Sequence, residues 1–115
     1  MITSSCKAKG RRLQQAVRDD ILRVFPQLTE RDVRSTSMGA SGTDVQLSEA
    51  GVQCFPFSVE CKNVEKLNIW GAIRQSRVNT SDEPVCPLVV FKRNGSRTYA
   101  CVEWGAFLEL VRDAR

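Results

Sequence analysis

A chain of 115 residues, 42% hydrophobic and 26% charged, has the size and composition of one globular domain built around a single core. Histidine is absent, which excludes hydrolases and nucleases with a histidine base and leaves acid–base or metal chemistry to carboxylates, lysine or a metal-bound water. The balance of 17 basic to 13 acidic residues, net +4, favours a polyanionic partner, and no apolar run approaches the roughly 20 residues that span a bilayer, so no membrane partner is expected.

The chain opens MITSSCKAKGRR, charged but without the apolar stretch of a signal peptide, and residues 1–6 read as a flexible terminus. The cysteines Cys6, Cys54, Cys61, Cys86 and Cys101 are odd in number and form no C-x-x-C pair. Neither a disulfide framework nor a zinc knuckle is expected, and a reducing cytoplasm is the simpler setting. Leu13, Val17, Ile21 and Val24 recur at helical spacing and predict a first helix over residues 8–25, stopped by Pro26. Its start is crowded with Lys7, Lys9, Arg11 and Arg12, which are either a solvated face or a set of phosphate contacts. A short strand is expected around residues 33–38, followed by the small-residue loop Gly39-Ala40-Ser41-Gly42.

Residues 43–48 alternate, Val45 and Leu47 against Asp44 and Gln46. Residues 55–62 alternate again, with Phe55, Phe57, Val59 and Cys61 inward and Ser58, Glu60 and Lys62 outward. A hairpin through Ser48-Glu49-Ala50-Gly51 would pair these two strands. A second helix is expected over residues 64–79, with Leu67, Gly71, Gln75 and Val78 on its packing stripe and Trp70 and Ile73 beside it. After a loop at residues 80–84, the continuous apolar run PLVVFKRN reads as a strand covered on both faces and ends in Lys92-Arg93. Asn94-Gly95 turns the chain into RTYACVEW, and a short last helix carries Phe107, Leu108 and Val111. Trp70, Trp104 and Phe107 suit ordinary core packing, with a dimer interface as the alternative.

Two residues apart on a strand, Glu60 and Lys62 share a face, and Asp44 shares it too if its strand pairs alongside. Carboxylates that close repel unless a cation lies between them. Hard oxygen donors with waters suit Mg²⁺ or Mn²⁺, and a nearby ammonium can act on a metal-bound water or on the charge building on a phosphate. The plain alternative is a set of solvated polar positions, since E-x-K on a strand is common by chance.

In their order, Gly42-Thr43-Asp44 and Glu60-Cys61-Lys62, 16 residues apart from Asp44 to Glu60, resemble the two motifs of the PD-(D/E)XK nuclease superfamily. The chain looks most like its small Holliday-junction-resolvase-type and phage members, which also begin with a basic K-x-G-R helix, here Lys7-Ala8-Lys9-Gly10-Arg11, and carry a Ser-Gly loop before the aspartate, here Ser41-Gly42. The likeness implies one nuclease domain over residues 1–115. Its expected fold is α/β with a restriction-endonuclease-like core, a central mixed β-sheet flanked by helices in the order α-β-β-β-α-β-β-α. It implies a Mg²⁺-dependent DNA endonuclease, with Mn²⁺ able to substitute, acting on branched DNA as a homodimer in the cytoplasm, the host's if the chain is phage-encoded. Asp44, Glu60 and the Cys61 carbonyl would hold the metal, Lys62 would act on the attacking water, and Gln75 would position water or phosphate. Ser41 and Gly42 would approach the DNA backbone, and Lys7, Lys9, Arg11, Arg12, Lys92 and Arg93 would contact phosphates.

There are departures from the pattern. Thr43 stands in place of the motif's proline, and Gln14 or Gln15 stands where the resolvases have a first-helix glutamate. An amide can hold a metal-bound water but adds no charge. Glu30, Asp19 and Asp20 are the acids left to substitute. The rival functions are a nucleic-acid-binding or assembly protein without activity, and a nicking, sequence-specific or RNA-directed endonuclease on the same fold.

Overall fold

Helix α1, Ser4–Val24, presents Leu13, Val17 and Ile21 to the core at successive turns, with Gln14 buried beside them. Val24, expected on that stripe, is exposed; the buried face closes instead on Leu28 and Val33 after the chain turns at Pro26. The computed structural model describes residues 4–36, 43–80 and 85–114. The loop carrying Ser41 and Gly42, the end of the first predicted strand and the loop at 81–84 lie outside the described residues.

The fold is α/β. Strands β1 (Val33–Ser35), β2 (Val45–Leu47), β3 (Phe57–Asn63), β4 (Cys86–Lys92) and β5 (Tyr99–Cys101) form one mixed sheet in the order β1-β2-β3-β4-β5. β1–β2, β2–β3 and β4–β5 are antiparallel; β3 and β4 run parallel over seven register pairs, Phe57↔Cys86 to Asn63↔Lys92. A parallel pair needs a crossover, and helix α3, Ile69–Thr80, supplies it. Leu88, Val89 and Val90 are buried at the centre of β4, as its continuous apolar run predicts. Gly95 takes the expected turn with φ 75°.

The expected hairpin between β2 and β3 is instead a short helix, α2, Glu49–Cys54. Ser48 is its N-cap: the Ser48 hydroxyl accepts from the Gly51 N–H at 3.1 Å and donates to Asp32 Oδ1 at 2.7 Å. The Thr29 N–H and that hydroxyl hold the Asp32 carboxyl below the usual carboxylate range. Gly51 is required by space, since a Cβ there would sit 2.8 Å from the Asp32 carbonyl oxygen. The observed order is therefore α-β-β-α-β-α-β-β-α, one helix more than predicted.

The two faces of the sheet differ in chemistry. α1 covers β1, β2 and β3 and buries an apolar layer with Val33, Val45, Phe57, Val59, Cys61, Leu88 and Val90. α3 packs chiefly on β3 and β4, through the small residues Ala72, Ser76 and Thr80. The α3 stripe is thus not the predicted Leu67, Gly71, Gln75 and Val78. The helix starts at Ile69, Gln75 and Val78 are exposed, and residues 64–68 form the connection from β3. Helix α4, Trp104–Asp113, has no buried residue. Trp70 (74%) and Trp104 (70%) are exposed, and Phe107 nearly half so, which overturns the core-packing reading of all three. Among the described residues no helix is long and apolar enough to cross a membrane.

Candidate active site

β3 is paired on both edges and covered on both faces, so every side chain from Phe57 to Cys61 is buried. Alternation placed Glu60 correctly opposite Val59 and Cys61, but its face is not the solvated one expected. α3 lies over it, and Glu60 is 1% exposed, the largest side chain so fully enclosed. A lone carboxylate there costs several kcal/mol. Its partners explain how it persists: Asn79 Nδ2 donates to Glu60 Oε1 at 2.5 Å, and the Asp44 carboxyl lies within hydrogen-bonding reach.

Asp44 sits one residue before β2 and is stitched into the sheet. Its N–H donates to the Val59 carbonyl at 2.9 Å, its carbonyl accepts from the Thr36 N–H at 2.9 Å, and its Oδ2 accepts from the Cys61 N–H at 2.7 Å. The carboxylate thus replaces a backbone acceptor at the point where β2 leaves β3. Burial raises the Asp44 carboxyl above the ordinary range, against the Cys61 N–H and the Lys62 charge. Burial first and the Asp44 charge second push Glu60 up to about 7. Two carboxyls this close and this poorly solvated share a proton near neutral pH, with Glu60 its main holder.

Lys62 follows on the same face, half-buried, and its charge favours ionisation of both carboxyls. Among the described residues the ion pairs are Arg18–Asp19, Arg23–Asp20 and Arg112–Asp113. None of them engages Lys62. The three motif residues therefore meet, as their spacing predicts. Cys61 contributes no thiol: its side chain is packed in the α1 layer, where burial holds the thiol protonated. Only its backbone carbonyl is left as a donor.

Gln75 does not lie on the packing face expected of it. It is exposed on α3, and Asn79, one turn later, reaches Glu60 instead. The signal was the stripe Ala72, Ser76 and Thr80, small residues that let α3 approach β3 and turn the adjacent Asn79 toward the acid. The two first-helix amides differ in environment. Gln15 is exposed, whereas Gln14 is buried and accepts from the Ser35 hydroxyl at 3.0 Å, and Ser35 is the register partner of Val45, beside Asp44. Asp19 and Asp20 are exposed and paired with Arg18 and Arg23, and Glu30 is exposed, so none joins the site.

The donor set suits a hard divalent ion. Asp44 keeps its second oxygen, Glu60 faces it, and the mutual repulsion that raises both carboxyls is what a cation would relieve. Mg²⁺ takes one or two carboxylates and completes its shell with waters. Among the described residues no group of three or more His, Cys, Asp and Glu side chains gathers, so carbonyl, amide and water oxygens would fill the remaining positions. Of the cations singled out in sequence, Lys92 is the register partner of Asn63, next to Lys62, and Arg93 follows it exposed. Lys7, Arg11 and Arg12 are exposed and Lys9 half-buried on the first turns of α1, N-terminal to Gln14. No protein-family model, curated protein or solved structure matches the chain.

Proposed function

We propose that the chain is a divalent-metal-dependent endonuclease domain of the PD-(D/E)XK type that hydrolyses phosphodiester bonds in DNA, with branched DNA as its substrate. The observation that carries the reading is the complete burial of Glu60 against Asp44, with Lys62 on the same face. A polar set this costly to enclose is more often kept for chemistry than for packing. Asp44, Glu60 and the Cys61 carbonyl hold Mg²⁺, and Asn79 fixes the Glu60 rotamer. When bound, the ion supplies polarisation of a phosphoryl oxygen and an acidified water. Lys62 orients the attacking water and stabilises charge on the phosphate. A second reading, a DNA-binding protein without turnover, has one observation in its favour: at the first-helix place where the resolvases have a glutamate, this chain has the neutral amide Gln14. Cleavage of labelled four-way junction, flap, duplex and single-stranded DNA with Mg²⁺, Mn²⁺ or EDTA separates the two. Metal-dependent products are expected, and Mn²⁺ binding without cleavage would favour the inactive reading.

The same proposal takes the protein as a homodimer joined through α4. Trp104, Phe107, Leu108 and Val111 form one stripe along that helix, every member at least 44% exposed, and Trp104 stacks on Phe107 at 5.8 Å. Trp70, 74% exposed, lines the groove that runs to Glu103, and large apolar side chains left together outside the core mark an interaction surface. Two sites related by a dimer axis can engage two strands of a junction together, so a preference for branched over linear DNA is expected at moderate salt. Phe107→Glu is expected to halve the mass seen by light scattering without changing the circular dichroism spectrum. A wild-type monomer would remove the dimer and leave the chemistry standing.

A further inference from the structure

Because α3 packs chiefly on β3 and β4, the halves of β1 and β2 on that face border open space beside the acid pair. They floor a cleft of about 380 Å³, bordered by α2 and by Asn79 of α3. That volume suits one nucleotide. Arg34 and Gln46, register partners across β1 and β2, stand on its floor with Ser58 of β3, and Arg31, Thr43, Ser48 and Asn79 complete the polar part of its wall. Among the described residues no carboxylate lines it, and neither arginine enters an ion pair. One polar group is buried there without a hydrogen-bond partner: Ser58, 3% exposed, whose hydroxyl oxygen is enclosed at the cleft. A hydroxyl held out of water and unbonded calls for a ligand or a water to complete it.

Two guanidiniums, three hydroxyls and two amides, with no acid among them, make a site for an anion rather than for a cation or an apolar group. The cleft joins the acid pair at two places, since Thr43 is the neighbour of Asp44, and Asn79 both lines the cleft and donates to Glu60. We infer that this cleft seats a backbone phosphate of the substrate strand next to the scissile bond, held by Arg31 and Arg34 with the Ser58 hydroxyl donating to it. The inference rests on the nuclease reading for the identity of the anion. Neither arginine stood out in sequence, because each looks like a solvated charge at a strand edge. Only the uncovered half-face gives them a common target.

The test measures binding apart from cleavage. Affinity of a labelled DNA oligonucleotide is read by fluorescence anisotropy in EDTA across a salt series, for wild type, for the double variant Arg31→Gln/Arg34→Gln and for the control Arg112→Gln on α4. The double variant is expected to bind roughly tenfold or more weakly, with a log–log salt slope shallower by about 2, about one for each cation removed from a phosphate. The control is expected to match wild type. Mn²⁺ binding by the double variant should equal wild type, which also reports that its acid pair is intact. Ser58→Ala is expected to weaken DNA binding several-fold while leaving the metal-free melting temperature unchanged or higher, an outcome general electrostatics does not give. DNA affinity and salt slope unchanged in the double variant, with metal-dependent cleavage intact in wild type, would overturn the cleft and spare the nuclease reading. A wild type that binds neither DNA nor Mn²⁺ would overturn both.

Discussion

Glu60→Gln is expected to abolish cleavage, by about a thousandfold or more, and at the same time to stabilise the metal-free chain at pH 8. The substitution keeps an oxygen for Asn79 to donate to, and removes the charge that Asp44 and burial oppose. The sign of the pH dependence follows. With its folded-state pKa raised from 4.5 to about 7, Glu60 is protonated in the folded chain and ionised in the unfolded one between those values. Folding takes up a proton there, so stability is greatest below the unfolded value and falls as pH rises through the window. Wild type is therefore expected to lose on the order of 2 kcal/mol between pH 4.5 and 7.5, and Glu60→Gln to show a flatter profile. Asp44→Asn is expected to be equally inactive, and removing the neighbouring charge should move the wild-type transition to lower pH. Mn²⁺ competes with the shared proton, so its affinity should be weaker at pH 5.5 than at pH 8. Thermal melts across pH, with and without Mn²⁺, check all of this. Full cleavage by either variant, or a wild-type profile that rises between pH 5 and 7, would remove the acid pair from the site.

Lys62→Met is expected to reduce turnover by about a hundredfold or more while changing DNA affinity less than about threefold. One cation among many adds little to ground-state attraction, whereas an ammonium beside the reacting phosphate acts on charge present only in the transition state. Among the described residues the half-buried Lys62 forms no ion pair that Met would leave unsatisfied, so the fold should persist. Single-turnover rates at saturating enzyme, set beside anisotropy in EDTA, separate the two effects. Equal losses in both would make Lys62 a phosphate clamp.

What could be read from the sequence was what strand alternation controls. It put Asp44, Glu60 and Lys62 on one face and Val59 and Cys61 on the other, and the continuous apolar run of β4 marked a strand covered on both sides. It did not say that α3 would close over Glu60, because burial by a neighbouring element leaves no local period. The phase of α3 was misread for the same reason: its inward stripe, Ala72, Ser76 and Thr80, is small and polar, while its large apolar residues Trp70 and Val78 face outward. A hydrophobicity pattern follows size and apolarity, so it chose the wrong side of α3 and passed over Asn79. α2 was missed because the cap at Ser48 reads equally as a turn; its closure depends on Asp32, 16 residues away.

The join between β2 and β3 carries one more consequence. The two strands share a single register pair, Val45↔Val59, and the Asp44 carboxylate supplies the next acceptor, to the Cys61 N–H. The sheet is thus two blocks, β1–β2 and β3–β5, joined at their border by few backbone pairings and the Asp44 side chain, with α1 packed across both. An opening fluctuation that frees the outer block must release the Cys61 amide and carry Asp44 away from Glu60. An ion held between the two acids would crosslink that border, and its loss would free it. Cohesion of the domain and occupancy of the acid pair would then be coupled, and exchange of the Cys61 amide proton with solvent would report it.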